Sequence, residues 1–242
     1  MGVVYQETNQ MANSRKVFKK LMELSDAKFG RDHLQTVKAV ANLGYNYKMT
    51  GELEVAIPLL EEAYGSVEGH PELDWVAHQL IDAYLGKEEN DKAGKLLLEQ
   101  VPPARKRLPK ASPQLGSFLA QVAMQLLQAK KWVEAEPLIR ECLAIRTKTQ
   151  PDSWTTFNAQ SMLGGSLLGQ KKYAEAEPLL IAGYNGMKKQ QASIPALGKP
   201  RLVEAIERLV QLYEETGNKD DADKWRKELN MLKPATPAEN AK

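Results

Sequence analysis

The residues best able to do chemistry in this 242-residue chain are one cysteine and three histidines. A single thiol can form neither an intrachain disulfide nor a zinc site built from several cysteines. As a nucleophile Cys142 would need exposure and an activating base. It stands instead in a small-residue slot shared with Ala63 and Gly183, which predicts a buried, unreactive thiol. His33, His70 and His78 show no H-E-x-x-H or other ligand spacing. His33 and His70 fall in junctions, where polar side chains cap helices, and His78 reads as a surface histidine within reach of a ligand. Gly164-Gly165 lacks the strand and following helix of a phosphate loop. Arg105-Lys106-Arg107 with Lys110 is the densest basic cluster, in a linker that begins Val101-Pro102-Pro103, and it reads as a solvated loop. No set of residues supports catalysis, so the expectation is a protein without enzymatic activity, metal or cofactor.

The elements that must position these residues are helical. The 33 Lys and Arg against 31 Asp and Glu leave a net charge of +2, too little for a surface that neutralises nucleic-acid phosphates. Two stretches, Ala111–Ala129 and Ser153–Gln170, carry no charge at all, yet hold too many Gln, Ser, Thr and Asn to cross a membrane. No basic segment followed by an apolar run opens the chain, which predicts a cytoplasmic protein without a membrane partner.

A repeat sets the architecture. Lys130-Lys131-Trp132-Val133-Glu134-Ala135-Glu136-Pro137-Leu138 is echoed by Lys171-Lys172-Tyr173-Ala174-Glu175-Ala176-Glu177-Pro178-Leu179, with the shared alanines 41 positions apart. Further copies centre on Ser14, Ala56, Ala93 and Ala222. Nine residues before each centre stands a large apolar residue: Tyr5, Tyr47, Tyr84, Leu126, Leu167 and Tyr213. Apolar residues between these points recur at i, i+3, i+4 and i+7, the pattern of amphipathic helices. Breaks at Thr50-Gly51, Gly86-Lys87, Ala129-Lys130, Gly169-Gln170 and Gly217-Asn218 divide each unit into two helices, glycine supplying the left-handed turn. The spacing predicts a stub at 1–7 and a helix near 11–28. Five pairs follow, at 32–49 and 52–67, 71–86 and 89–100, 112–129 and 131–147, 152–169 and 171–188, and 199–216 and 219–230. Asp32, Pro71 and Pro151 read as helix starts, and Pro58, Pro137 and Pro178 fall just inside second helices. Leu53, Met11, Trp132 and Tyr173 share a register and read as core knobs at the helix turn.

The small–large–small pattern resembles the tetratricopeptide repeat (TPR). The length of about 42 residues, Glu134-Ala135-Glu136-Pro137-Leu138 running to Cys142-Leu143-Ala144-Ile145-Arg146, and Ala27-Lys28-Phe29-Gly30-Arg31-Asp32-His33 resemble the kinesin-light-chain type. Segments such as Ser161–Leu180 resemble bacterial arrays of these repeats most. The resemblance implies an all-α fold, an α-solenoid wound as a right-handed superhelix of about five helix-turn-helix repeats plus an N-terminal half-repeat. It would occupy 1–231, with a disordered tail at 232–242.

In that family the first helix of each pair lines a concave groove. The resemblance therefore implies a peptide-binding groove of Lys38, Asn42 and Tyr45, then Trp75, His78, Gln79 and Asp82, then Gln121 and Met124, then Asn158 and Ser161, and finally Arg208. Ala111–Ala129 and Ser153–Gln170 are first helices, so the middle of the groove is expected to carry no ionisable side chain. Amide side chains serve an extended backbone and methionine adapts to varied apolar groups. The expected function is a non-catalytic scaffold holding a peptide or helix of a protein partner. The alternative is a regulatory or substrate-recruiting region of a larger enzyme such as a bacterial Ser/Thr protein kinase. The half-repeat at the start leaves an apolar edge, which predicts a monomer or a weak dimer through that edge.

Overall fold

The computed structural model describes residues 2–8, 10–66 and 70–232. Among these it is helical without strands, and it divides into two compact units, residues 1–97 and 98–242. Of the tail expected at 232–242, Leu232 is helical and the rest lies outside the described residues.

The first unit holds α1 (Gly2–Glu7), α2 (Met11–Phe29), α3 (Leu34–Met49), α4 (Leu53–Gly65), α5 (Trp75–Gly86, preceded by a 3-10 turn at Pro71–Leu73) and most of α6 (Asn90–Glu99). α3 packs on α2, α4 and α5. The second unit holds α7 (Val101–Arg107), α8 (Pro113–Gln128), α9 (Trp132–Thr149), α10 (Trp154–Gly169), α11 (Tyr173–Lys189), α12 (Pro200–Glu215) and α13 (Lys219–Leu232). There α10 packs on α9, α11, α8 and α12. The helix pairs fall where the repeat places them.

Local chemistry explains the boundaries. Ser112 caps α8 by accepting from the Leu115 amide at 3.1 Å, and Ser153 caps α10 by accepting from Thr155 at 3.3 Å. α3 starts at His33 rather than Asp32: the histidine Nδ1 accepts from the Gln35 amide at 3.2 Å. α10 likewise starts at Ser153, while Pro151 lies in the preceding turn. The segment read as a solvated linker is itself α7. Pro102 and Pro103 stand in its first turn, where an amide has no helical partner to lose. Pro58, Pro137 and Pro178 each occupy the sixth residue of their helices, a turn deeper than expected. The carbonyls of Glu54, Val133 and Ala174 thereby forgo an intrahelical amide.

The turn between the helices of a pair is left-handed, as expected, but glycine supplies it only twice. Gly51 and Gly217 have φ of 79° and 74°, whereas Glu88, Lys130 and Lys171 adopt 57°, 57° and 61°. Gly86 and Gly169 instead close α5 and α10.

The core follows the repeat register. Ser14, Ala56, Ala93, Ala135, Ala176 and Ala222 are all within 2% of complete burial. Leu53, Met11, Trp132 and Tyr173 are half-buried at the turns rather than enclosed. The tightest crossing is α10 on α11, where a Cβ on Gly183 would lie 2.6 Å from the Ser161 amide nitrogen and 2.8 Å from the Phe157 carbonyl. Only glycine permits that approach.

Candidate functional site

In the first unit the first-helix residues form a face across α3 and α5. Lys48 bridges the two helices, donating to Gln79 Oε1 at 2.7 Å and to Asp82 Oδ2 at 2.9 Å. Lys38 pairs with Glu72 at 3.1 Å. The Glu72 carboxyl is held below the usual range first by its own backbone amide and then by Lys38. Tyr45 meets Trp75 edge to face, with ring centroids 6.1 Å apart. Asn42 Nδ2 donates to the Lys38 carbonyl at 2.8 Å, an i to i−4 bond within α3. His78 is exposed. This face is aromatic and ionic, and Lys48 ties α3 to α5 across it.

In the second unit α8, α10 and α12 share a face. Gln121 is exposed there and Met124 half-buried. Two clefts open on it. One of about 480 Å³ has Met124, Lys130, Trp132, Arg201, Glu204 and Arg208 in its lining. The other, of about 270 Å³, is lined by Gln121, Met124, Trp154, Asn158, Met162 and Arg201.

Two sequence expectations are corrected here. Ser161 does not face an open groove but is fully buried, its hydroxyl accepting from Arg208 Nη1 at 3.0 Å. The middle of the face is also not free of charge. Helices α8 and α10 carry none, as read, but α12 delivers Arg208 onto them over Gly165, where a Cβ would lie 2.8 Å from the arginine Cδ and Nε. The Arg208 side chain keeps only 16% of its surface exposed. Burial pulls its pKa down, and the Glu204 carboxylate works against that.

Asn158 is 7% exposed and lies in the smaller cleft. Its Nδ2 reaches only Met162 Sδ, at 3.5 Å, and its Oδ1 is buried without a hydrogen-bond partner among the described residues. A buried amide left half-satisfied costs free energy that a bound donor would recover.

The remaining candidates are structural. Cys142 is 1% exposed and burial pushes its thiol up, away from reactivity. Arg105 of the basic cluster pairs with Glu141 at 2.5 Å. Among the described residues no group of three or more His, Cys, Asp or Glu is placed to hold a metal ion, and no helix is long and apolar enough to cross a membrane. The sequence reading missed Arg201, which pairs with Glu204 as Arg208 does, although the spacing of the three along one helix face carried the signal.

Stacked helical hairpins with a small-residue crossing define an all-helical repeat protein. Residues 1–69 match the family model of the tetratricopeptide repeat. A comparison with curated proteins found no match. Among solved structures, a Podosopora anserina protein described as a kinesin light chain with nearly identical TPR-like repeats is 20% identical. That match covers 78% of this chain and 93% of the other, at a TM-score of 0.63. BtubC (BKLC) from P. vanneervenii is 14% identical over 96% of both chains, with a TM-score of 0.58. The assembly chaperone of RpL4, Acl4, is 16% identical over 95% of this chain and 94% of the other, with a TM-score of 0.52. At these identities the likeness is one of fold. Residues 1–69 thus match the tetratricopeptide repeat, and the fold of the described residues is the all-helical solenoid of such repeat proteins.

Proposed function

We propose that this chain is a non-catalytic interaction scaffold that holds a peptide or helical segment of a protein partner on the face formed by the first helices of its repeats. The observation that carries this reading is the second unit's face. Its two clefts lie side by side on α8, α10 and α12, share Met124 and Arg201, and contain a buried amide acceptor with no partner of its own. Concave, mostly apolar sites with a few convergent polar groups are where ligands bind. The relatives in fold support protein partners in general: one is an assembly chaperone for RpL4. The exposed Val3, Val4, Leu21 and Leu24 of α1 and α2 support a weak contact between copies at that edge.

The test is selection from a random peptide library displayed on phage, with the whole chain as bait. Enriched peptides are expected to lose at least tenfold in affinity for the Gln121→Ala, Met124→Ala double variant or for the Asn42→Ala, Gln79→Ala double variant. They should bind Lys148→Ala, on the second-helix side, as they bind the parent. Enriched peptides that ignore both face variants while the fold survives would overturn the reading.

A further inference from the structure

The joints between successive repeats share one construction. The residue ten before a repeat centre, on the first helix of a pair, packs on the start of the second helix of the pair before it. Asn46 and Ser166 hold this slot and are fully buried. Asn46 Nδ2 donates to the Met11 carbonyl at 3.0 Å, and Ser166 Oγ donates to the Trp132 carbonyl at 2.7 Å. Met11 and Trp132 each stand three residues before their own centre. Ala83 and Leu212 hold the same slot and are buried as well. The following residue, nine before the centre, is the slot of Tyr5, Tyr47, Tyr84 and Tyr213, and the last three engage the same preceding helix. Arg15 of α2 lies over the Tyr47 ring, 4.1 Å from its centroid. Tyr84 Oη donates to Glu61 of α4 at 2.7 Å, and Tyr213 Oη donates to Glu177 of α11 at 2.6 Å. Arg15 and Glu177 each follow their centre by one residue.

Half of such a joint stands open on α1 and the other half on α13. Val4 holds the buried slot yet is 55% exposed, and Tyr5 holds the tyrosine slot, with no helix pair before them among the described residues. On α13, Lys219 stands three residues before the Ala222 centre and Asp223 one after it, with no helix pair beyond among the described residues. We propose that the two halves meet between copies of this chain: α1 of one copy seats on the start of α13 of another, Val4 packing on the Lys219 stem and Tyr5 Oη donating to Asp223. The proposal rests on the contact between copies read above at the α1–α2 edge, and it names the surface that receives that edge. Two α1–α2 edges facing each other complete no joint, since neither offers an open second-helix start. They also set the exposed Lys16, Lys19 and Lys20 of α2 against one another, like charges that repel. Asp223 is available to the phenol. Its side chain is 63% exposed, and its partner is Arg226 of the same helix, an i to i+3 pair of the kind that contributes little. Because the two surfaces differ, the contact is heterologous and can pass from copy to copy. A joint led by a helix of 6 residues belongs to the small, transient class of interfaces, so association is expected at high protein concentration.

The experiment is sedimentation velocity on the full chain over rising concentration, where the average mass should climb past that of a dimer. Val4→Glu places a charge in the joint, and Asp223→Lys removes the acceptor. Both positions are exposed in the single copy, and circular dichroism checks that each variant keeps its helix content. Each variant should stay monomeric where the parent associates. An equimolar mixture of the two should form a one-to-one pair and stop there, because the first keeps a sound α13 and the second a sound α1. Tyr5→Phe deletes one hydroxyl and should weaken association severalfold. A parent that stays monomeric at every concentration overturns contact between copies altogether. An Asp223→Lys variant that associates as the parent does overturns this joint and leaves a symmetric contact of two α1–α2 edges. A Val4→Glu variant that does so overturns both. Monomeric variants that fail to pair when mixed, or a Tyr5→Phe variant that associates like the parent, overturn the joint as described.

Discussion

The two units build the same face from the same helical pair and load it with opposite electrostatics. In the first unit, cations are met one to one by carboxylates on a neighbouring helix or its leading turn, Lys48 by Asp82 and Lys38 by Glu72. In the second, α8 and α10 carry no charge, and the cations that line the cleft come from α12, as Arg201 and Arg208, and from the turn after α8, as Lys130, with Glu204 shared between the two arginines. The second unit also buries Arg146, 7% exposed, which donates to the Thr155 carbonyl at 2.7 Å and whose pKa is lowered by burial. A repeat therefore fixes where the backbone goes and leaves the chemistry of each face open. Neutral first helices do not make a neutral cleft when a glycine lets the next repeat reach across.

The sharpest way to break the comparison is at the crossing itself. Ala63 in α4 and Gly183 in α11 occupy the same repeat slot, yet only the second crossing is close enough to require glycine. Gly183→Ala pushes a methyl group against the Ser161 amide and the Phe157 carbonyl, backbone atoms that cannot swing away. It is expected to destabilise the chain by about 1–3 kcal/mol despite alanine's better helix propensity. Ala63→Gly in the first unit should cost about 1 kcal/mol, through propensity and the lost methyl. Thermal melts of both variants decide this, and a stabilised Gly183→Ala would mean that the two crossings are alike.

How much of this was legible follows from where each signal lies. The alanine centres were readable because burial at a crossing demands a small side chain, and it does so at every repeat. The left-handed turns at Lys130 and Lys171 were not, because lysine announces no such backbone; Gly169, two residues before Lys171, drew the assignment there, and no glycine stands near Lys130 to mark its turn. Helix α7 was hidden by Pro102-Pro103, which mark a break in most settings but suit a first turn. The contact of Arg208 with Gly165 joins residues of different repeats, and no periodicity encodes a contact between a side chain present in one copy and one missing from another.

A second comparison sets Lys171 against Gly51, equivalent turn positions with φ of 61° and 79°. Lys171→Gly relieves the left-handed strain of a side chain with a Cβ, and a gain of up to about 1 kcal/mol is expected. Gly51→Lys should lose a similar amount, so the pair of melting shifts should have opposite signs. On the first unit's face, a double-mutant cycle on Tyr45 and Trp75 should return a coupling of about 0.5–1.5 kcal/mol from their edge-to-face contact. The Lys48 and Asp82 cycle should give less, about 0.2–1 kcal/mol, because the aspartate is half exposed and added salt screens the pair. A Lys48 coupling that exceeds the aromatic one would show that the ionic ladder, not the rings, ties α3 to α5.

The smallest effect is a matter of pH. In the second unit the Glu136 carboxyl accepts from Gln170 Nε2 at 2.8 Å and from Arg140 Nε at 2.8 Å, and Lys172 lies 3.5 Å away. The Gln170 bond is the main reason its pKa lies below the ordinary 4.5, with Arg140 adding and burial opposing. In the first unit Glu52 is lowered chiefly by Arg15 and then by Thr50. A carboxylate whose folded pKa is depressed contributes stability that is complete above its unfolded pKa and is lost as the pH falls through the folded one. Both units should therefore weaken below about pH 4.5 and not above it. The two glutamates differ in how they lose their partners. Glu136 is held mainly by a neutral amide, which salt does not screen, while Glu52 depends on a guanidinium, which salt does. Melting curves from pH 6 to pH 3 should show Glu136→Gln flattening the acid limb equally at low and high salt. Glu52→Gln should flatten it at low salt more than at high. If the salt dependence is the same for both, the amide is not what holds Glu136 ionised, and the second unit relies on ion pairs as much as the first.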